Sequence, residues 1–208
     1  MIKAFKSFTL ILSLFSFTLI YPNHIFGVQK HFSKASMLTK SDSLQLLMLI
    51  RKVYSWAGLN SDIDFTPSIK RDTIFIGIDW TAQKKAIKQF KDSKLFDNEF
   101  INNLQRIAEY QDSVMRYGKE KWDARYIPCF PIADASPWCE CQDDFAFTAA
   151  IGIIDLNIIK GKASFKWKVI NNSNPYLNGF VYDVRAKKEK GIWKISYLKG
   201  FDFKNYIM

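Results

Sequence analysis

The chain has 208 residues, of which 48% are hydrophobic and 16% aromatic, enough apolar surface to build one buried core and too much for a disordered polymer. Its formal net charge of +10 favours acidic partners. The only histidines, His24 and His31, lie ahead of the patterned part of the chain, which argues against His-based acid–base catalysis, Ser-His-Asp or Cys-His nucleophiles, and the usual zinc sites in the folded domain.

Residues 1–27 have the layout of a secretory signal. Lys3 and Lys6 form a basic start, an apolar run follows from Phe8 to Tyr21, and Pro22 opens a turn-prone stretch ending in Ile25-Phe26-Gly27. The run is 14 residues long, shorter than the ~20 a bilayer span needs, and is diluted by Ser13, Ser16 and Thr18. Cleavage after Gly27 is therefore expected, with an uncleaved anchor as the alternative. Loss of Lys3 and Lys6 would leave the mature chain at +8. The expected location is periplasmic or extracellular.

Residues 28–41 read as a flexible, unpatterned leader, and a single domain is expected over 42–208. Asp42 followed by Gln45 resembles a capping box. Leu47, Ile50, Tyr54 and Ala57 recur at helical spacing, which predicts a helix from about Ser43 to Ala57 stopped by Gly58. Ile74, Ile76 and Ile78 at period two predict a short strand within 72–80. Thr81 can cap a lysine-rich helix reaching about Lys94. Asp97 can cap another, carrying the stripe Phe100, Leu104, Ile107, Ala108 and Met115 and ending at Gly118.

Residues 119–144 hold Pro128, Pro131, Pro137 and all three cysteines, and read as a long functional or stapling loop. Strands follow. Phe145–Ile159 is apolar on both faces, with room for a bulge at Gly152. After a turn at Lys160-Gly161, Phe165, Trp167 and Val169 alternate with polar residues. Phe180, Tyr182 and Val184 do the same, and a Lys188–Gly191 turn makes a hairpin with Ile192–Lys199. Helices first and strands afterwards indicate an α+β fold, N-terminal helices packed on a curved antiparallel sheet.

The helix around Leu46–Trp56, the stretch Phe90-Lys91-Asp92-Ser93-Lys94-Leu95-Phe96 leading to Glu99-Phe100-Ile101, the Cys141-Gln142-Asp143 element and the ending Gly191-Ile192-Trp193-Lys194-Ile195 together resemble the nuclear-transport-factor-2-like, or cystatin-like, cone fold. Within it they are most similar to the exported domain of unknown function 3828 family. The resemblance implies a sheet rolled against helices with a pocket at its wide end. Relatives use such a pocket for isomerase or dehydratase chemistry, or only to bind a ligand or a partner.

Asp143 and Asp144 are the candidate pocket carboxylates, since adjacent acids in apolar surroundings raise one pKa toward general-base use; the plainer alternative is an Asx turn at the strand's start. Trp167, Tyr182 and Trp193 would line the same pocket. Lys84, Lys88 and Lys91 share one helical face, flanked by Lys85 and Lys94, and could meet an acidic partner protein, an anionic lipid or a polyanion, or simply face solvent. The scattered remaining charge argues against nucleic acid. Among Cys129, Cys139 and Cys141, a bridge from Cys129 to Cys139 or Cys141 is expected, contributing about 2 to 3 kcal/mol; zinc would need a carboxylate or His31 as its fourth ligand. No metal or cofactor is expected. The functional expectation is a non-catalytic exported binding domain for a small molecule or protein; an immunity or inhibitor protein against an acidic toxin, and a carboxylate-based isomerase or dehydratase, are the alternatives.

Overall fold

Alternation and helical periodicity in the sequence become three helices and two antiparallel sheets among the described residues of a computed structural model, which are 34–60, 63–64, 66–118, 122–123, 136–140, 150–170 and 180–207, with side chains from residue 40 onward. The chain divides into two units, Met1–Phe32 and Ser33–Met208, and all described residues belong to the second. Helix α1 spans Lys34–Leu59, α2 Trp80–Ser93 and α3 Asn98–Tyr117. Strands β1 (Ser68–Arg71), β2 (Ile74–Ile78) and β3 (Trp122–Asp123) form one sheet in that order. Strands β4 (Ile151–Ile159), β5 (Lys162–Val169), β6 (Val181–Glu189) and β7 (Ile192–Leu198) form the other, also in sequence order. Two 3-10 turns, Lys199–Phe201 and Phe203–Tyr206, close the chain.

The helix α1 starts at Lys34 and not at Ser43, so the expected leader is helical from that point. Its interior face is Leu46, Leu49, Ile50, Val53, Tyr54 and Ala57. Asp42 and Gln45 form no capping box, because they lie within the helix: Gln45 Nε2 donates to Ser41 Oγ, and Asp42 is engaged by the far end of the chain. Gly58 does not stop the helix either. It runs on to Leu59, and the Asn60 side chain donates to the Trp56 carbonyl, closing the last turn. Helix α2 is capped by Asp79, whose carboxylate accepts from the backbone N–H groups of Thr81 and Ala82, in place of the expected Thr81. Two potential caps stood two residues apart, and the carboxylate is the stronger acceptor facing a helix N-terminus. For α3 the expected Asp97 cap and Gly118 end are both present. Gln83, fully buried on α2, has no hydrogen-bond partner for either amide atom among the described residues, and nothing in the structure explains it.

In the four-stranded sheet, Ala163, Phe165, Trp167 and Val169 of β5 and Tyr182, Val184 and Ala186 of β6 are buried, and the residues between them face outward. Trp193 and Ile195 of β7 join them. The irregularity of β4 falls between Ile154 and Asn157, where Asp155 has φ 53°, and not at Gly152. Beyond β7, Phe96 forms a parallel bridge with Ile195, which ties the start of α3 to the sheet edge. Phe90, Phe96, Phe100 and Leu104 from the α2–α3 region pack into the same core as α1 and this sheet.

The segment 136–140 is also drawn into that core. Trp138 packs against Tyr54, Trp56, Phe90 and Phe201. Tyr182 Oη donates to the Pro137 carbonyl at 2.5 Å and accepts from the Gly200 N–H at 2.7 Å. Gly200 is required here, because a Cβ on it would collide with the Pro137 carbonyl. Tyr182→Phe deletes both bonds inside the core, leaving a buried donor and acceptor unpaired. Urea unfolding is expected to show a loss of about 1–3 kcal/mol, and a loss below about 0.5 kcal/mol would contradict this role.

Candidate functional site

The three aromatics expected to line a pocket lie in the packed interior instead. Trp167 and Tyr182 are fully buried and Trp193 is 4% exposed. Trp167 Nε1 donates to Tyr54 Oη at 2.9 Å, and Tyr54 Oη donates to the Trp138 carbonyl at 2.6 Å. The Tyr54 and Trp167 rings meet edge to face with centroids 4.8 Å apart. Burial pushes both phenols, Tyr54 and Tyr182, well above the usual tyrosine range, so each stays a neutral donor. A polar relay in this state serves as internal structure: its groups are paired within the chain, not turned toward an incoming molecule.

Trp193 is held differently. Its Nε1 donates to Asp42 Oδ1 at 3.0 Å, and Lys188 Nζ reaches the same oxygen at 2.6 Å. This joins α1 to the β6–β7 hairpin. Burial pushes the Asp42 carboxyl up, but the bonds from Lys188 and Trp193 outweigh that and leave it below its usual value.

Asp143, Asp144, Cys129 and Cys141 lie outside the described residues. Cys139 is fully buried and disulfide-bonded. Among the described residues no three His, Cys, Asp or Glu side chains gather as a metal site. No helix among them is long and apolar enough to cross a membrane. Two carboxylates have raised pKa values, both chiefly through burial: Asp64, which sequence reasoning passed over and which accepts from the Thr66 N–H, and Asp97, the expected cap of α3. Their hydrogen bonds to backbone account for both as structural groups.

The Lys84, Lys88 and Lys91 face of α2 is exposed as expected, but unevenly charged. Lys88 is paired with Asp92 one turn on, at 2.5 Å, while Lys84 and Lys91 have no carboxylate partner among the described residues.

A more structured surface lies on the outer face of the four-stranded sheet. A groove of about 500 Å³ crosses all four strands. Asn157 and Ile159 of β4 form one wall, Ser164 and Arg185 the floor, and Glu99 of α3 with Ser196 of β7 the other wall. Lys160, Lys162 and Lys187 stand around it. Four cations thus surround a groove with a single carboxylate, Glu99, and that carboxylate is bonded to Lys187. Sequence reasoning missed this site. Its residues come from four strands and a helix, and only the strand register brings them together.

Compared with known protein families, with curated proteins and with solved structures, the chain finds no match.

Because Asp42 has a lowered pKa in the folded state, its contribution is present above the unfolded carboxylate pKa of about 4 and is lost as pH falls through the lower folded value. Asp42→Asn is expected to be less stable than wild type in urea at pH 7, with the gap closing at pH 2. A gap independent of pH would show that the carboxylate charge has no part in clamping α1 to the hairpin.

Proposed function

We propose that this chain is an exported, non-catalytic binding domain of the nuclear-transport-factor-2-like cone type, in which the cone is packed shut and an acidic ligand is taken on the outer face of the sheet. The observation that carries this reading is the contrast between the two faces. The inner face is closed by Trp167, Tyr182, Tyr54 and Trp138, with the side-chain polar atoms of the first three bonded to one another or to backbone. The outer face carries an open groove of about 500 Å³, within the size range of small-ligand sites, and is rich in positive charge.

The α+β order of elements and the hairpin ending in Trp193 and Ile195 support the cone assignment, and the basic start and short apolar run of residues 1–27 support export. A role in binding without turnover is supported by the lining of the groove. The groove offers cations and hydroxyls but no carboxylate free to act as a base. An inhibitor of an acidic toxin is the second reading. Lys84 and Lys91, exposed and without a carboxylate partner among the described residues, favour it.

The test starts from chain recovered outside the cytoplasm, whose intact mass is expected to show loss of Met1–Gly27. Ligand-observed NMR then compares acidic fragments (organic carboxylates, phosphate esters, sulfated sugars) with neutral sterol-like, polyketide-like and glycan fragments. Acidic hits that are weakened by salt and are not turned over are expected. Neutral hits that perturb Trp167 and Tyr182, or turnover of any hit, would contradict the proposal.

A further inference from the structure

The outer groove contains a cost that the fold does not need. Lys162 lies directly opposite Lys187, and Lys187 lies directly opposite Lys194, so three lysines stand in one row across β5, β6 and β7. Like charges directly opposite on neighbouring strands destabilise a sheet. Two members of the row are compensated: Lys187 is bonded to Glu99, with Asp97 at 3.9 Å, and Lys194 is bonded to Glu189 at 2.8 Å. Lys162 has no carboxylate partner among the described residues, and neither has Lys160, in the turn next to it.

One register step along, Ser164 lies opposite Arg185, which lies opposite Tyr197. The Arg185 guanidinium stacks over the Tyr197 ring, 4.7 Å from its centroid. Tyr197 Oη in turn donates to Asp202 at 3.2 Å. Burial, and then the Asp202 charge, push the phenol up to about 12, so the ring stays neutral. Arg185 is therefore held in place by a neutral ring with its fork of N–H donors unclaimed by any carboxylate among the described residues. Asp183, the nearest acid on the same strand face, lies opposite Lys166, whose ammonium is bonded to Asp155 at 3.2 Å.

From this arrangement we infer that Arg185, Lys162 and Lys160, with the Ser164 hydroxyl, form a subsite for one compact oxyanion, and that the ligand is a small amphiphilic organic acid whose apolar body rests on Ile159. A pre-oriented guanidinium fork suits a planar carboxylate or a phosphate face, and the two lysines add charge without fixed geometry. Ile159 is 59% exposed at the groove wall, an apolar surface beside the cations. The groove volume of about 500 Å³ fits a small molecule, not a polymer or a membrane surface. This inference rests on the binding-domain reading above and names the ligand class and its anchor.

The probes are octanoate, acetate and inorganic phosphate, titrated into the mature chain and followed by NMR of the backbone and of the Arg185 side-chain Nε–H. All three are expected to shift Arg185 and Ser164, with octanoate bound tighter than acetate and also perturbing Ile159. Arg185→Gln is expected to weaken octanoate by about tenfold or more, and Arg185→Lys to recover only part of that, because charge returns without the fork. Lys162→Gln is expected to weaken binding while melting no lower than wild type, since it relieves the opposition to Lys187. A lysine placed there for stability would give the opposite. Lys84→Gln and Lys91→Gln together should change nothing. No binding by any probe, or equal binding by wild type and the two Arg185 variants, overturns the subsite. Acidic fragments that still bind, but map to the α2 lysines, would sink the subsite and leave the broader reading standing.

Discussion

Two buried tyrosine hydroxyls set the terms for the rest of this fold. A phenol in an apolar interior needs a partner, and an unpaired one costs about 1–3 kcal/mol. Tyr54 and Tyr182 find theirs in the carbonyls of Trp138 and Pro137, so residues 136–140 are held against both α1 and the sheet. Trp138 then fills the space among Tyr54, Trp56, Phe90 and Phe201, and Gly200 has no room for a side chain because Pro137 occupies it. Lys199 fixes the same segment from outside through Glu140 at 2.6 Å. The chain end is included, since Tyr206 Oη donates to the Gly200 carbonyl at 2.8 Å.

An interior closed in this way moves the question of function to the surface. There the arrangement of charge differs from place to place. On α2 the lysines stand on a solvated helix face, one of them neutralised a turn away, as charged helix faces commonly are. On the sheet, the cations stand in register on adjacent strands, where their repulsion is greatest, and one arginine is fixed by a ring that cannot neutralise it. Rigid elements hold a site more sharply than mobile side chains on a helix do. For that reason the sheet face supports the functional proposal better than the lysine row that the sequence makes conspicuous.

Much of the fold was legible locally. Period-two alternation placed Phe165, Trp167 and Tyr182 on the inner side, and Asp97 and Gly118 marked the ends of α3. The errors came where a local signal had a distant answer. Asp42 and Gln45 have capping-box spacing, but the partners of Asp42 are 146 and 151 residues away, and no local pattern reports them. Asp79 and Thr81 were both credible caps, and only the backbone geometry chose between them. The candidate aromatics were correctly seen as inward-facing, yet inward proved to mean core, because residues 136–140, within the stretch read as a functional or stapling loop, pack over them. The groove was illegible for a related reason. Lys162, Arg185 and Glu99 are ordinary surface residues until strand register makes them neighbours.

The central claim is that the space between α1 and the sheet is filled by Tyr54, Trp138, Trp167 and Tyr182, not kept as a ligand cavity. Xenon tests it most directly, since it enters apolar cavities large enough to hold it and leaves packed cores alone. Crystals of the mature chain under xenon pressure are expected to show no xenon within contact of these four side chains. A well-occupied xenon atom among them would mean that this space is open, and the binding site would have to be sought inside it.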